Sequence, residues 1–256
     1  MSCSVRWVKG GKGMSRSKHI PGIVLLFALI LGLVGCTPIS EGGELAKLRA
    51  ELSETQAELN RARTEINTAK AASLEELLRQ RRSIREYADA PLTKDEVMRL
   101  LWAGQGITDE RGFRTAPSAG ALYPLEIYLV AGNVDDLAPG IYKYNPEDNH
   151  LTLLKKGDIR TGLASASLGE NSVVDGAIDI VIAAVYERTE VKYGGRGERY
   201  VHIEIGHAAQ NICLQATALG LGLVTIGAFD DAVVARVVGL SQDEAPLYVI
   251  PVGRIE

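Results

Sequence analysis

Cysteine is nearly absent from this chain: three residues in 256, at positions 3, 36 and 213. Cys3 and Cys36 belong to the N-terminal segment, which leaves Cys213 alone and no intramolecular disulfide available to the body. Cys213 falls in an apolar helical stretch, where a thiol reads as a small buried hydrophobe and not as a nucleophile. Phenylalanine and tryptophan are scarce as well, three and two against 27 glycines, which turns attention to contacts made by the backbone. There is no GxSxG elbow, no HExxH, no CxxC and no GxxxxGK[ST] loop, so the chemistries those motifs announce are not signalled. Of the four histidines, only His202 and His207 are near one another, and a spacing of five puts them on different helix faces, so no metal site is expected. His207, on an apolar helix, reads as a satisfied core histidine. With neither a nucleophile nor metal ligands assembled, any chemistry belongs to a bound cofactor.

Acidic residues are missing from the first 36 positions, where Arg6, Lys9, Lys12, Arg16 and Lys18 lie. The 28 basic residues less those five leave 23 against 32 acidic ones, a net charge of −9. So acidic a body argues against nucleic acid as a partner. From Met14, an internal candidate start, the sequence reads MSRSKHIPGIVLLFALILGLVGC: a basic stretch, an uncharged apolar run over residues 20–34, then small residues. The run is short for a spanning helix and has the layout of a signal peptide. LVGC at residues 33–36 resembles the lipobox of bacterial lipoproteins, which implies cleavage after residue 35, lipidation of Cys36 and a membrane-anchored, extracytoplasmic protein. An uncut signal anchor is the alternative. No arginine pair precedes the apolar run, so nothing points to the twin-arginine route.

Residues 36–72 read as a spacer. Positions 45, 48, 52, 55, 59, 62, 66 and 69 are Leu, Leu, Leu, Thr, Leu, Ala, Ile and Ala, a heptad seam weakened by its small and polar members. A paired coiled coil and a single solvated helix both fit.

Over residues 73–256 helices and strands alternate, which predicts an α+β domain with helices packed over a sheet. Thr93 and Glu96 form a capping box opening a helix. LEIYLVAG reads as a strand, GIYKYNPEDNHLTLLKKGD as a hairpin around NPEDN, AIDIVIAAVY as a buried strand, and LVTIGAF and PLYVIPVG as the last strands. The stretch over residues 200–220 reads as a long helix. It is uncharged beyond Glu204, so both of its faces are expected to be covered.

Three stretches carry the candidate chemistry. RRSIREY places Arg81, Arg82 and Arg85 around Ser83 beside a helix end, a donor set suited to a phosphate. Solvated surface charge is the alternative. TAPSAGALYP is a loop of small residues between two prolines, and TIGA at residues 225–228 is a small-residue turn after a buried strand. Both let backbone approach a planar ligand. Arg254 adds a cation near the C-terminus. Two cationic ends and two flat loops describe a phosphorylated planar cofactor.

Taken together, RRSIREY, PSAGALYPLEIYLV, GIYKYNPEDNHLTLL, KYGGRGERYVHIEIGHAAQNICLQATALGLG and TIGAFDD resemble the FMN-dependent nitroreductase family, with the SagB-type thiazole/oxazole-forming dehydrogenase branch nearest. The resemblance covers roughly residues 74–254. It implies an α+β homodimer, with a mixed sheet flanked by helices and two FMN sites at the subunit interface. It implies that Arg81, Arg82, Ser83 and Arg85 hold the phosphate and the pyrimidine edge. Pro117, Ser118, Ala119 and Gly120 would reach a flavin across the dimer, and Thr225, Ile226, Gly227 and Ala228 would lie under the isoalloxazine ring. Arg254 matches a C-terminal phosphate ligand. Lys192 and Tyr193 fall where azoline-oxidising members carry a catalytic Lys-Tyr pair, the Lys as base and the Tyr as proton or hydrogen-bond donor. A solvated loop is the alternative reading of that segment. Where many nitroreductases have an Asn after PS this chain reads AGAL, and Gly227 stands where a Glu is common. Both departures fit the SagB-type branch.

Three functions are therefore expected in competition. The first is a membrane-anchored FMN oxidoreductase acting on a small molecule or peptide, its electrons coming from NAD(P)H or a membrane reductant. The second is an azoline-to-azole dehydrogenase of a peptide-modifying pathway, and the third a flavin- or planar-ligand-binding module without turnover.

Overall fold

The computed structural model describes residues 49–50, 52–56, 58 and 74–255. Cys36, the targeting segment and most of the heptad seam lie outside these residues. The chain divides into two units, Met1–Thr64 and Glu65–Glu256. In the first unit the described residues are helical, in keeping with an Ala-, Glu- and Leu-rich composition.

In the second unit, after helical residues 74–80, a short strand β1 (Leu92–Thr93) leads into α1 (Lys94–Gln105). Thr93 and Glu96 form the predicted capping box: the Thr93 side chain accepts from the Glu96 N–H, and the Glu96 carboxylate accepts from the Thr93 N–H at 2.8 Å. The strands and helices that follow are β2 (Leu125–Ala131), β3 (Val134–Asp135), β4 (Gly140–Asn145), β5 (His150–Lys156), α2 (Arg160–Ala166), α3 (Asn171–Asp175), β6 (Ile178–Ala184), α4 (Glu187–Tyr193), α5 (Gly197–Ala218), β7 (Leu221–Leu223), α6 (Asp231–Val238) and β8 (Ala245–Arg254).

The main sheet has the order β5-β4-β2-β6-β8-β7. The mixed sheet that the family resemblance implied is antiparallel at every pairing. Among the described residues, parallel pairing occurs in the small β1–β3 pair. The reason is topological. β6 and β7, joined through α4 and α5, do run the same way, but β8 inserts between them and is antiparallel to both. The segment LVTIGAF is strand only over residues 221–223; beyond it, Ile226 pairs with Val249 alone, through two backbone bonds of 2.9 and 3.0 Å.

Strand β6 is buried at every position, because both faces of the sheet are covered. Alternate side chains (Ile178, Ile180, Ile182) enter a core shared with α1 and α5, through Leu100, Leu101, Val201, Ile205 and Ile212. Val181 and Ala183 face a second core built with α2, α3 and α6, through Leu163, Val173, Val234 and Val238. Burial of this many branched side chains, at about 1.5–3 kcal/mol each, holds the sheet between its layers. α1 and α5 cross closely: a Cβ at Gly104 would meet Ile212 at 3.0 Å and Ile127 at 3.1 Å.

α5 departs from expectation on one side. Val201, Ile205, Ala208 and Ile212 are buried, but Ile203 is 49 % exposed, and His207 and Gln210 are exposed too. The helix is uncharged on a face that nothing among the described residues covers. His207 is accordingly not a core histidine.

Candidate functional site

The arginine run leaves the helical residues 74–80 and crosses onto the sheet edge. Ile84 N–H donates to the Leu223 carbonyl at 2.9 Å, and the Ile84 side chain sits where a Cβ on Gly222 would be, 2.9 Å away. Tyr87 is buried, its hydroxyl donating to the Ile84 carbonyl at 2.7 Å. These contacts fix the run against β7, immediately before the turn Thr225–Ala228. The run and the turn, read separately from sequence, thus come together.

Within the run the arginines differ. Arg82 donates from Nη1 to the Arg79 and Arg81 carbonyls at 2.7 and 2.8 Å, capping the end of the preceding helix. Among the described residues neither Arg81 nor Arg85 makes an ion pair. Arg85 and Ser83 are exposed and Arg81 half-buried. In the turn, Ile226 is pinned by Val249 while Gly227 and Ala228 are exposed. Arg254 does not join them: its guanidinium forks onto the Glu96 carboxylate with two bonds of 2.8 Å and reaches the Pro91 carbonyl at 3.2 Å. It ties the last strand to the start of α1 with three of its five N–H donors, leaving one on each terminal nitrogen.

A second cluster forms around the loop over residues 115–124. Gly120 has φ 65°, and a Cβ there would lie 2.8 Å from both Lys192 Nζ and Tyr193 Oη. The Lys-Tyr pair, at the C-terminal end of α4, therefore converges on the loop that the family resemblance assigns to a flavin. Lys192 is exposed, Tyr193 half-buried, and Tyr193 packs edge-on against Tyr200 at 4.9 Å between centroids. Beneath the loop is a cavity of about 260 Å³ lined by Pro117, Ser118, Ala119, Tyr200, Glu204 and His207.

Two buried acids that make no ion pair among the described residues were not singled out from sequence. Glu204, on α5, is 2 % exposed, and burial pushes its pKa up to about 7 against the pull of Ser118, Arg114 and Gln105. Asp179, inside β6, is wholly buried and held well above the carboxylate range by desolvation, with Arg160 as its nearest positive charge. A lone charge in the apolar run AIDIVIAAVY was the available signal for Asp179. For Glu204 the signal was its place as the last charge before an uncharged helix. A larger cleft of about 400 Å³ is lined by Arg114, Glu126, Lys143 and Arg188, but its lysine is already paired, with Glu126 at 3.1 Å and Glu244 at 2.9 Å.

The nitroreductase family model matches residues 78–254, a span that contains both clusters. The chain belongs to the nitroreductase family. Its six-stranded antiparallel sheet with flanking helices is the nitroreductase fold. A provisionally named nitroreductase of Methanocaldococcus jannaschii, MJ1384, is 48 % identical over 181 residues, covering 71 % of this chain and 90 % of that protein. A provisionally named nitroreductase from Anabaena variabilis, known as a crystal structure, is similar at 31 % identity and a TM-score of 0.64; the match covers 72 % of this chain and 38 % of that longer one. The Escherichia coli microcin synthetase McbBCD complex with truncated pro-MccB17 bound contains a chain similar at 27 % identity and a TM-score of 0.61, over 67 % of each. As a nitroreductase-family member, this protein is placed among oxidoreductases.

Proposed function

We propose that this chain is an FMN-dependent oxidoreductase, working as a homodimer and displayed on a lipid anchor at Cys36. The observation that carries the reading is the meeting of separately placed parts. Unpaired Arg81 and Arg85 are fixed beside the turn Thr225–Ala228, and Lys192 and Tyr193 converge on Gly120.

The residues present fit a phosphorylated flavin. Arg81 and Arg85 offer planar donor forks without a carboxylate to satisfy them, and Ser83 adds a hydroxyl. Thr225, Ile226, Gly227 and Ala228 offer backbone and small side chains to the ring. Pro117, Ser118, Ala119 and Gly120 would reach the flavin of the second copy, and Lys192 and Tyr193 would stand on its substrate side. Arg82, as a helix cap, positions the run. Bound FMN would supply hydride or electron transfer to and from the substrate. Lys192 would hold or take the substrate proton, and Tyr193 would donate a hydrogen bond beside it.

Homodimerisation is supported by the bare face of α5, where Ile203, His207 and Gln210 lie open. That face adjoins the loop cluster, so a second copy seated there would cover the loop. An anchored location would place the protein away from cytoplasmic NAD(P)H, which favours a quinol or a membrane reductant as donor. Recovery of the mature protein with an acylated N-terminal Cys36 tests the anchor; an unmodified soluble protein overturns it.

The visible spectrum of the purified chain, loaded with FMN and desalted, tests the central claim. Bands of bound oxidised flavin are expected, lost in Arg81→Ala with Arg85→Ala. A colourless wild-type protein would sink it. Anaerobic addition of NADH, NADPH or a quinol then separates an enzyme from a redox-inactive binder. A second reading, azoline-to-azole dehydrogenation of a peptide, is favoured by the Lys192–Tyr193 placement and by the likeness to a chain of a peptide-bound synthetase complex. Oxidation of an azoline-bearing peptide with the wild type, absent in Lys192→Ala, would select it.

A further inference from the structure

The loop cluster contains a buried group that the roles above do not use. Glu204 is 2 % exposed and its Oε1 has no hydrogen-bond partner among the described residues. The Gln105 amide, at the end of α1, faces the same carboxyl, and its Nε2 also lacks a partner. Glu204 lines the cavity beneath residues 117–119. Just beyond those residues the backbone is strained: Gly120, Ala121 and Tyr123 all lie in the left-handed region, with φ of 65°, 55° and 45°. Two of the three are not glycine, and such residues persist only where their surroundings hold them.

Two bonds to Ser118 close this loop from within: the Ala121 N–H donates to the Ser118 carbonyl at 3.1 Å, and the second reaches its side chain. The Tyr123 N–H donates to Ser118 Oγ at 2.9 Å. A serine hydroxyl that accepts there keeps its own proton to donate, and Glu204, whose unpartnered Oε1 is buried beside the cavity that Ser118 also lines, is the acceptor within the cluster. We propose that Glu204 is a positioning residue: as a carboxylate it accepts a hydrogen bond from the Ser118 hydroxyl and, through the bond from Tyr123 to Ser118, keeps the strained loop in the shape that presents Gly120 to Lys192 and Tyr193. Only the catalytic consequence rests on the flavoenzyme reading.

The groups facing Glu204 are few. Arg114 and Ser118 come from the loop segment and Gln105 from α1; Tyr200 and His207 lie beside it on α5. Arg114 carries the fixed charge among them, and its Nη1 donates to Gln105 Oε1 at 2.8 Å. Burial is the largest influence and sets the carboxyl at about 7, so the hold on the loop changes near neutrality. Above that pH the carboxylate takes a charge-assisted hydrogen bond from Ser118; below it the neutral acid takes a weaker one.

Amide hydrogen exchange of the full chain, without added flavin, tests this between about pH 5.5 and 8.5 after correction for intrinsic rates. Protection of residues 119–123 is expected to rise about fivefold through pH 7, the ratio separating charge-assisted from neutral hydrogen bonds. Glu204→Gln should stay at the low-pH level throughout, and Ser118→Ala should match it, with no further loss in the double variant. Should Glu204→Gln not fold, Ser118→Ala carries the comparison. Wild-type protection that ignores pH, or the same rise in Glu204→Gln, overturns the proposal. A chain that shows the exchange step but rejects FMN keeps this inference and removes the flavoenzyme reading. A flavoenzyme with flat exchange does the reverse.

Discussion

The arginine run and the loop cluster lie along one helix and hold their charges in opposite ways. Arg81 acts on Cys213 near the C-terminal end of α5, whereas Ser118 acts on Glu204, nine residues and about 14 Å away by helical rise. At one end, cations stand in or near solvent and make no ion pair among the described residues, although Arg85 shares a cleft with Glu170 and Asp175. At the other, an acid is sealed under a strained loop. An exposed unpaired charge costs little to keep, because water solvates it, and is ready for an anion arriving from outside. A buried unpaired charge costs several kcal/mol unless its own chain answers it. The first arrangement is suited to a ligand, the second to controlling local shape.

The largest expected effect breaks the first arrangement. Replacing Arg81 and Arg85 together by Ala should lower FMN affinity by roughly 10²–10⁴, since each removes a hydrogen bond to a charged group of about 1.5–3 kcal/mol. Stability should move by less than about 0.5 kcal/mol, as for other surface changes. Flavin fluorescence titration and a thermal melt of the same samples check both. An equal loss of stability would show that the run holds the sheet edge and not a ligand.

The next effect sharpens the second arrangement. The folded pKa of Glu204, about 7, lies above its ordinary 4.5, so folding favours the protonated acid. That contribution is fully present below about pH 4.5 and is lost as the pH rises through 7. It amounts to on the order of 2 kcal/mol once solvent access is allowed for. Urea denaturation at pH 5 and pH 8 should show Glu204→Gln losing less stability than wild type across that interval. Local hold and global stability thus run in opposite directions with pH, which separates the positioning role from general packing.

What the sequence made legible follows the range of the interactions. The capping box of Thr93 and Glu96, the hairpin of β4 and β5 and the buried strand β6 are local patterns, and each stands as read. The antiparallel sheet was not legible, because strand order depends on β8 inserting between β6 and β7, a choice made by the whole chain. The site shows the same division. The small-residue loop and turn were visible as stretches. Glu204 was not, because its burial needs a loop from a distant part of the sequence to close over it. Arg254 read as a free cation, since its partner Glu96 is 158 positions away. The open face of α5 was expected to be covered, and among the described residues it is not. An uncharged helix states that something should cover it, not which chain supplies the cover.

A smaller effect tests the meeting point of the loop and the Lys-Tyr pair. Gly120→Ala adds a Cβ at φ 65°, 2.8 Å from Lys192 Nζ and Tyr193 Oη. The backbone strain should cost about 1 kcal/mol, and the two side-chain ends must move away. Turnover should fall while the pH step in stability, set by Glu204, is unchanged. Equal turnover in wild type and Gly120→Ala would return KYGGRGERY to a solvated segment.

The smallest effect separates one arginine from another. Arg254 and Arg81 are both cations beside the same sheet edge, but Arg254 already meets Glu96 through two bonds of 2.8 Å. Its side chain is 31 % exposed and that of Glu96 16 %. A pair so accessible contributes at most about 1 kcal/mol, so Arg254→Ala should cost no more than that in a urea titration. FMN affinity should change less than twofold, because the guanidinium is committed to Glu96 and Pro91. A loss matching that of Arg81→Ala would mean that the ligand draws Arg254 away from Glu96, and Glu96→Gln should then tighten FMN binding by releasing it. Without that tightening, the fork is a clamp between the last strand and the first helix, and the phosphate grip is confined to the run that opens the domain.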